Sequence, residues 1–208
     1  MDVTERSGAL KTRRYLFEQR NSLGFVAEVA RGHGWTLPDE PPRLPPDHAG
    51  PVRVLLEILP GLRLLYENDP ARPNSYVQAI GDSGLGPDIV DHMMAVFRAY
   101  PGILTFEALL DDLDAATETE ARDVAVRRAG LGAPAQMDER LVARITECAT
   151  AKDKRLREGA LCAIGYTEWP VFLPLVRKMA AEDRKRSLRA AAKLTLKAYE
   201  LVGLTDSR

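Results

Sequence analysis

Three stretches of the chain share one outline, and that recurrence sets the tightest limit on how it can fold. In residues 116–130, Ala116, Arg122, Ala125 and Gly130 each stand 35 residues before Ala151, Arg157, Ala160 and Gly165. A third, looser copy occupies residues 181–196, where Leu188-Arg189 follows Leu156-Arg157 by 32 residues and Ala181 and Asp183 follow Ala151 and Asp153 by 30. A period in the thirties with a little slack is the signature of a two-helix repeat whose turns vary in length. Each such unit buries its apolar face only by stacking on a neighbour.

The spacing around these stretches predicts helices in pairs. First members carry apolar residues at helical period, at Leu109, Leu110 and Leu113, at Leu141, Ile145 and Cys148, and at Leu175, Val176 and Met179. Second members are richer in alanine, as at Ala121, Ala125 and Ala129, at Ala160 and Ala163, and at Ala191 and Ala192, which lets two backbones approach closely. Thr117 with Glu120 reads as a capping box, Asp153 and Asp183 stand where a helix start needs an acceptor, and Gly130, Gly165 and Gly203 are expected to end helices in the left-handed conformation.

Upstream, residues 8–32 are expected to form one or two helices. Six of the sixteen residues 36–51 are proline, which excludes helix there and predicts an extended strap or tether. Residues 52–68 are expected to be the most apolar helix, kinked at Pro60-Gly61, with a short helix around residues 75–80 and another opened by Pro87. The fold class expected is therefore all-α, an α-solenoid of stacked antiparallel helix pairs. It would comprise an N-terminal helical segment at 1–35, a Pro-rich linker at 36–51 and a repeat domain at 52–208.

The paired helices, the Leu-Arg-x-x-Ala pattern at Leu156-Arg157 and Leu188-Arg189, and Pro174 inside a first helix resemble HEAT repeats over residues 103–203. The resemblance implies an armadillo-type superhelix with a concave recognition surface. It also implies a ladder between neighbouring repeats in which Asp153 with Arg157 and Asp183 with Arg189 hold the matching positions.

Several function classes receive no support from the sequence. No run of about 18 apolar residues exists for a membrane span. The first 20 residues carry scattered charge and no apolar signal core, so the cytoplasm is the expected location. Cys148 and Cys162 fall on apolar stripes, where a thiol acts as a small hydrophobe. His33, His48 and His92 make no ligand pair at helical spacing, so neither a metal nor a cofactor is expected. Residues 81–86 (GDSGLG) lack the preceding strand signal and the Lys-Ser/Thr of a phosphate loop, and Ser83 lacks the Gly-x-Ser-x-Gly context of a nucleophile. The Asp111, Asp112, Asp114 and Asp88, Asp91, His92 clusters read as solvated helix faces. No catalytic residue is assigned.

Charge gives the strongest hint about partners. Residues 36–125 hold 6 Lys or Arg against 16 Asp or Glu, whereas residues 140–208 hold 15 against 8. Charge separated along a stacked chain becomes charge separated in space. The binding candidates are Arg155 with Arg186, Arg189, Lys193 and Lys197, the last four recurring at three and four residues on the last helix, and Trp169 as an aromatic anchor. The leading expectation is a non-enzymatic protein-binding scaffold or adaptor, one form being an inhibitor or immunity protein for a basic partner. The alternative is a nucleic-acid-binding HEAT-like protein. A DNA glycosylase of that fold would use a basic concave face and an exposed tryptophan beside a carboxylate.

Overall fold

The structure, a computed structural model, describes residues 3–6, 9–19, 22–36, 51–69, 74–82 and 84–204. It divides into two units, Met1–Leu104 and Thr105–Arg208. The first unit overturns the all-α solenoid reading, because it is built on an antiparallel sheet. Strands β1 (Val3–Arg6), β2 (Ala9–Thr12), β3 (Tyr15–Leu16), β4 (Val52–Leu59), β5 (Leu62–Asp69) and β6 (Asn74–Asp82) form it in the order β1-β2-β6-β5-β4, with β3 also paired to β6. Helices α1 (Leu23–Gly32), α2 (Pro87–Met93) and α3 (Ala95–Arg98) complete the unit. Among the described residues of 1–35, strands β1–β3 therefore precede helix α1. Of the Pro-rich stretch, residues 37–50 lie outside the described residues.

The largest correction is at residues 52–68, where the expected kinked helix is the β4–β5 hairpin. Pro60-Gly61 forms its two-residue turn, and Leu59 pairs with Leu62 across it. Proline presets φ for the first turn position, and Gly61 at φ +81° supplies the left-handed second position of a type II turn. Val54, Leu56 and Ile58 on one strand and Leu62, Leu64 and Tyr66 on the other are buried, while Arg53, Leu55, Glu57 and Arg63 between them are exposed. That alternation is the period of a half-buried sheet. The buried set joins Val77 and Ala79 of β6, Val26 and Ala30 of α1, and Phe97 of α3 in one core. Residues 75–80, expected as helix, lie in β6 between β5 on one side and β2 and β3 in succession on the other. Where β2 ends, Thr12 Oγ1 accepts from the Ala79 amide at 3.1 Å and the Gln78 side chain donates to the Thr12 carbonyl at 2.7 Å. Gly61→Ala is expected to lower the stability of this unit by about 1–2 kcal/mol, because a Cβ is strained at that φ and would stand 3.1 Å from the Asp82 carboxylate. Thermal unfolding followed by the fluorescence of Trp35, which is buried in this core, measures it; an unchanged midpoint would show that the turn does not need glycine.

The second unit is helical: α4 (Phe106–Ala115), α5 (Thr119–Leu131), α6 (Glu139–Thr150), α7 (Lys154–Thr167), a 3₁₀ turn (Pro170–Phe172), α8 (Leu173–Glu182) and α9 (Arg186–Leu201). Consecutive helices pack as α4 with α5, α6 with α7 and α8 with α9, and the second members pack in series, α5 on α7 and α7 on α9. Side-chain caps start three of them: Thr105 accepts from the Ala108 amide, Asp138 from Arg140 and Leu141, and Asp153 from Arg155. The Thr117 capping box does not form, since α5 begins after Glu118 without a side-chain cap. Gly130 and Gly165 lie inside helices, and the left-handed end of α7 falls on Glu168 at φ 52°. Gly130 serves a different need. A Cβ there would lie 2.5 Å from Ala163 Cα, so α5 and α7 touch backbone to backbone at this point.

Candidate functional site

The recurring arginines sit on α5, α7 and α9, and two of them do structural work at the turns. Arg157 and Asp183 form a buried ion pair, with side chains 7% and 4% exposed. Arg157 Nε donates to Asp183 Oδ2 at 2.7 Å and Nη2 to Oδ1 at 3.2 Å, while Nη1 donates to the carbonyls of Ala151 and Lys152. Asp183 Oδ1 also accepts the Lys185 amide at 2.8 Å, and its carbonyl accepts Arg189 Nη1 at 2.6 Å. Burial by itself would raise the Asp183 carboxyl, but the Arg157 guanidinium and the Lys185 N–H outweigh it and hold it below its ordinary range. The link thus runs from one helix pair to the next, Arg157 to Asp183, while Arg189 meets the Asp183 carbonyl and not its carboxylate.

The six binding candidates separate in space. Trp169 is 2% exposed and stacks against Phe172 with ring centroids 6.2 Å apart, so its face is spent on the core and is not presented to a partner. Trp35 is also buried. Arg155, on the first turn of α7, lies 3.4 Å from the Glu120 carboxylate. Arg189 is half-buried and engaged with the Asp183 carbonyl. Arg186, Lys193 and Lys197 are exposed on α9, seven and then four residues apart and so on one face; among the described residues none of the three forms an ion pair.

Beside those cations runs a feature the sequence reading missed. Leu194 and Leu201, seven residues apart, are 69% and 77% exposed, with exposed Ala198 between them. They face away from Leu188, Ala192 and Tyr199, the buried side of α9, whose Tyr199 hydroxyl donates to the Ile164 carbonyl of α7 at 2.8 Å. Their spacing was the available signal, since neither belongs to the Leu188-Ala192-Tyr199 stripe.

At the other end of the series α4 and α5 enclose an open groove of about 660 Å³. Leu109, Val124 and Ala125 form its apolar floor, and Asp112, Glu118 and Glu120 stand exposed at its rim. Its residues on α5, Ala121, Val124, Ala125 and Arg128, recur at three and four positions and share one face. The opposite face of α5 meets α7: Asp123 and Val126 lie against Gly159, Gly130 against Ala163, and Arg127 donates to the Cys162 sulfur at 2.8 Å. The neighbouring carboxylates are committed elsewhere. Glu107 is held by Arg140 through two bonds of 2.8 and 2.9 Å and Asp114 by Arg144, and both carboxyls lie below their ordinary range because of those bonds. Asp112 and Glu118 form no ion pair among the described residues. Inside the groove, the buried Nε of Arg128 has no hydrogen-bond partner.

No family model, curated protein or solved structure matches this chain. Among the described residues no group of three or more His, Cys, Asp or Glu side chains is placed to hold a metal ion, and no helix is long and apolar enough to cross a membrane. Asp91, from one acidic cluster, is engaged by Arg98 at 2.8 Å, and the same guanidinium donates to the Tyr15 hydroxyl at 3.2 Å. Cys148 is buried, and that burial pushes its thiol up, away from the thiolate that a nucleophile needs. The arrangement provides two surfaces suited to recognition, an acid-rimmed apolar groove and a basic, apolar helix face.

Proposed function

We propose that the helical unit is a non-enzymatic protein-binding module that receives a basic, apolar-faced helix of its partner in the groove between α4 and α5. The observation that carries this reading is the pairing of an apolar floor with the rim carboxylates Asp112 and Glu118, on the face of α5 turned away from α7. In a series of stacked pairs each member covers its neighbour's apolar flank. An inserted leucine-sized side chain contributes about 1.5–3 kcal/mol by leaving water. The carboxylates orient the segment and speed its approach, an effect that salt screens. The paired helices support the likeness to HEAT-type repeats for this unit alone.

A synthetic lysine- and leucine-bearing amphipathic helix is a direct probe. It is expected to bind the full chain with an affinity that falls with added salt, and Asp112→Lys with Glu118→Lys is expected to weaken it at least about tenfold, the change for 1.4 kcal/mol. Fluorescence anisotropy of the labelled peptide measures both; equal binding by the variant, or by a glutamate-bearing counterpart peptide, would refute the groove as the site.

Nucleic-acid binding retains the three exposed cations of α9 in its favour. It loses Arg189 and, with Trp169 buried, the aromatic that a glycosylase-type site would have placed beside a base.

A further inference from the structure

We propose that the occupant of the groove is α9 of a second copy of this chain, joined head to tail. This rests on the groove reading above and names its partner. The two ends of the series α5–α7–α9 are complementary in apolar surface and in the charge at the groove rim. The α9 face offers two leucines separated by two helical turns, about 10 Å along the axis, and the groove offers an apolar floor between two helices. Lys193 and Lys197 flank Leu194, while Asp112 and Glu118 stand at the rim of the groove. Asp112 and Glu118 on the groove and Lys193 and Lys197 on α9 form no ion pair among the described residues.

The two surfaces cannot meet within one copy. α9 is fixed to α7 and α8 through its buried side, and α7 stands between it and α5. Two different patches that complement each other on one molecule make a heterologous contact, which leaves a second groove and a second α9 exposed at the ends of every dimer. Association therefore passes beyond a dimer, to a closed ring or an open chain, and continues the packing of second helices from copy to copy. A single helix in a groove buries less than a standard interface of about 1,600 Å², so the contact belongs to the weak, concentration-dependent class.

Sedimentation velocity of the full chain over a concentration series at low salt tests this. The weight-average sedimentation coefficient is expected to rise without levelling at a dimer, and to fall back as salt is added. Two charge-swap variants decide the geometry. Lys193→Glu with Lys197→Glu gives an acidic α9 beside an acidic groove, and Asp112→Lys with Glu118→Lys gives a basic groove beside a basic α9. Each is expected to remain monomeric alone and to associate when mixed with the other, since each end then meets an opposite charge. All four positions are exposed, and unchanged helical circular dichroism of each variant verifies its fold. A monomeric wild type throughout the series, undiminished association of either variant, or a mixture that stays monomeric would overturn the proposal. The peptide titration on the same samples separates the two levels of failure. A monomeric chain that still binds the cationic helix has its groove intact and a different occupant, whereas failure of both removes the groove as well.

Discussion

Asp183→Ala is expected to destabilise the helical unit by about 3–5 kcal/mol, the usual cost of stranding one partner of a buried ion pair. The reason is geometric. Asp183 answers two guanidinium nitrogens of Arg157 and the Lys185 amide at the start of α9, and its removal leaves Arg157 charged and buried at that contact with only the Ala151 and Lys152 carbonyls to satisfy it. Chemical denaturation followed by far-ultraviolet circular dichroism measures the loss, and a shift below about 1 kcal/mol, the value of an exposed pair, would show that the pair is solvated. The same bond sets a pH dependence. A carboxyl held below its unfolded value contributes fully above about pH 3.9, and its contribution is lost as the pH falls through the lower, folded value. Wild-type stability is thus expected to decline on acidification below about pH 4, and the decline is expected to be shallower in Asp183→Asn.

Gly130→Val is expected to cost about 3 kcal/mol, at the upper end of over-packing penalties, because its new atoms meet backbone. The Ala163 Cα and Cβ both lie 2.5 Å from where the Gly130 Cβ would stand, and a main chain cannot rotate aside as a side chain does. Relief requires α5 and α7 to separate along their shared length. Gly165 provides the control. It too lies inside α7, but nothing stands within 4 Å of its Cβ position, so Gly165→Ala is expected to raise stability by about 0.5–1 kcal/mol through helix propensity alone. Opposite signs for two helical glycines, read from denaturation midpoints, are the diagnostic outcome. Two shifts of the same sign would mean that the α5–α7 contact yields more readily than its geometry implies.

Legibility in the sequence divided along physical lines. In the helical half, apolar residues at three and four positions leave one stripe to bury, and Leu141, Ile145 and Cys148 or Leu188, Ala192 and Tyr199 fall on it. In residues 52–68 the doubled leucines Leu55-Leu56 and Leu64-Leu65 satisfy a helical spacing as well as an alternating one. The Pro-Gly between two alternating runs was the signal for a hairpin, and reading it as a kink moved the whole segment into the wrong class. Residues 74–79 of β6 gave no alternation at all, because every one is buried, with Ser75 bonded to the Tyr66 hydroxyl and Gln78 to the Thr12 carbonyl. The basic residues of α9 were legible as a set. Which of them stay exposed was not, since Arg189 is withdrawn by a carbonyl that only the α8–α9 turn brings near. The groove depends on how α4 crosses α5, a relation between elements that spacing along one element does not contain.

The ion pair between Arg157 and Asp183 bears on how the helical unit comes apart. In a linear array whose neighbours interact only through greasy flanks, the last pair can peel off by itself and leave the remainder intact. Here the departure of α8 and α9 would carry the carboxylate away and strand a cation in the middle pair, so fraying at the terminus is resisted from within. The slowest-exchanging amides of α7 and α9 should then share one opening free energy, the mark of a single cooperative block.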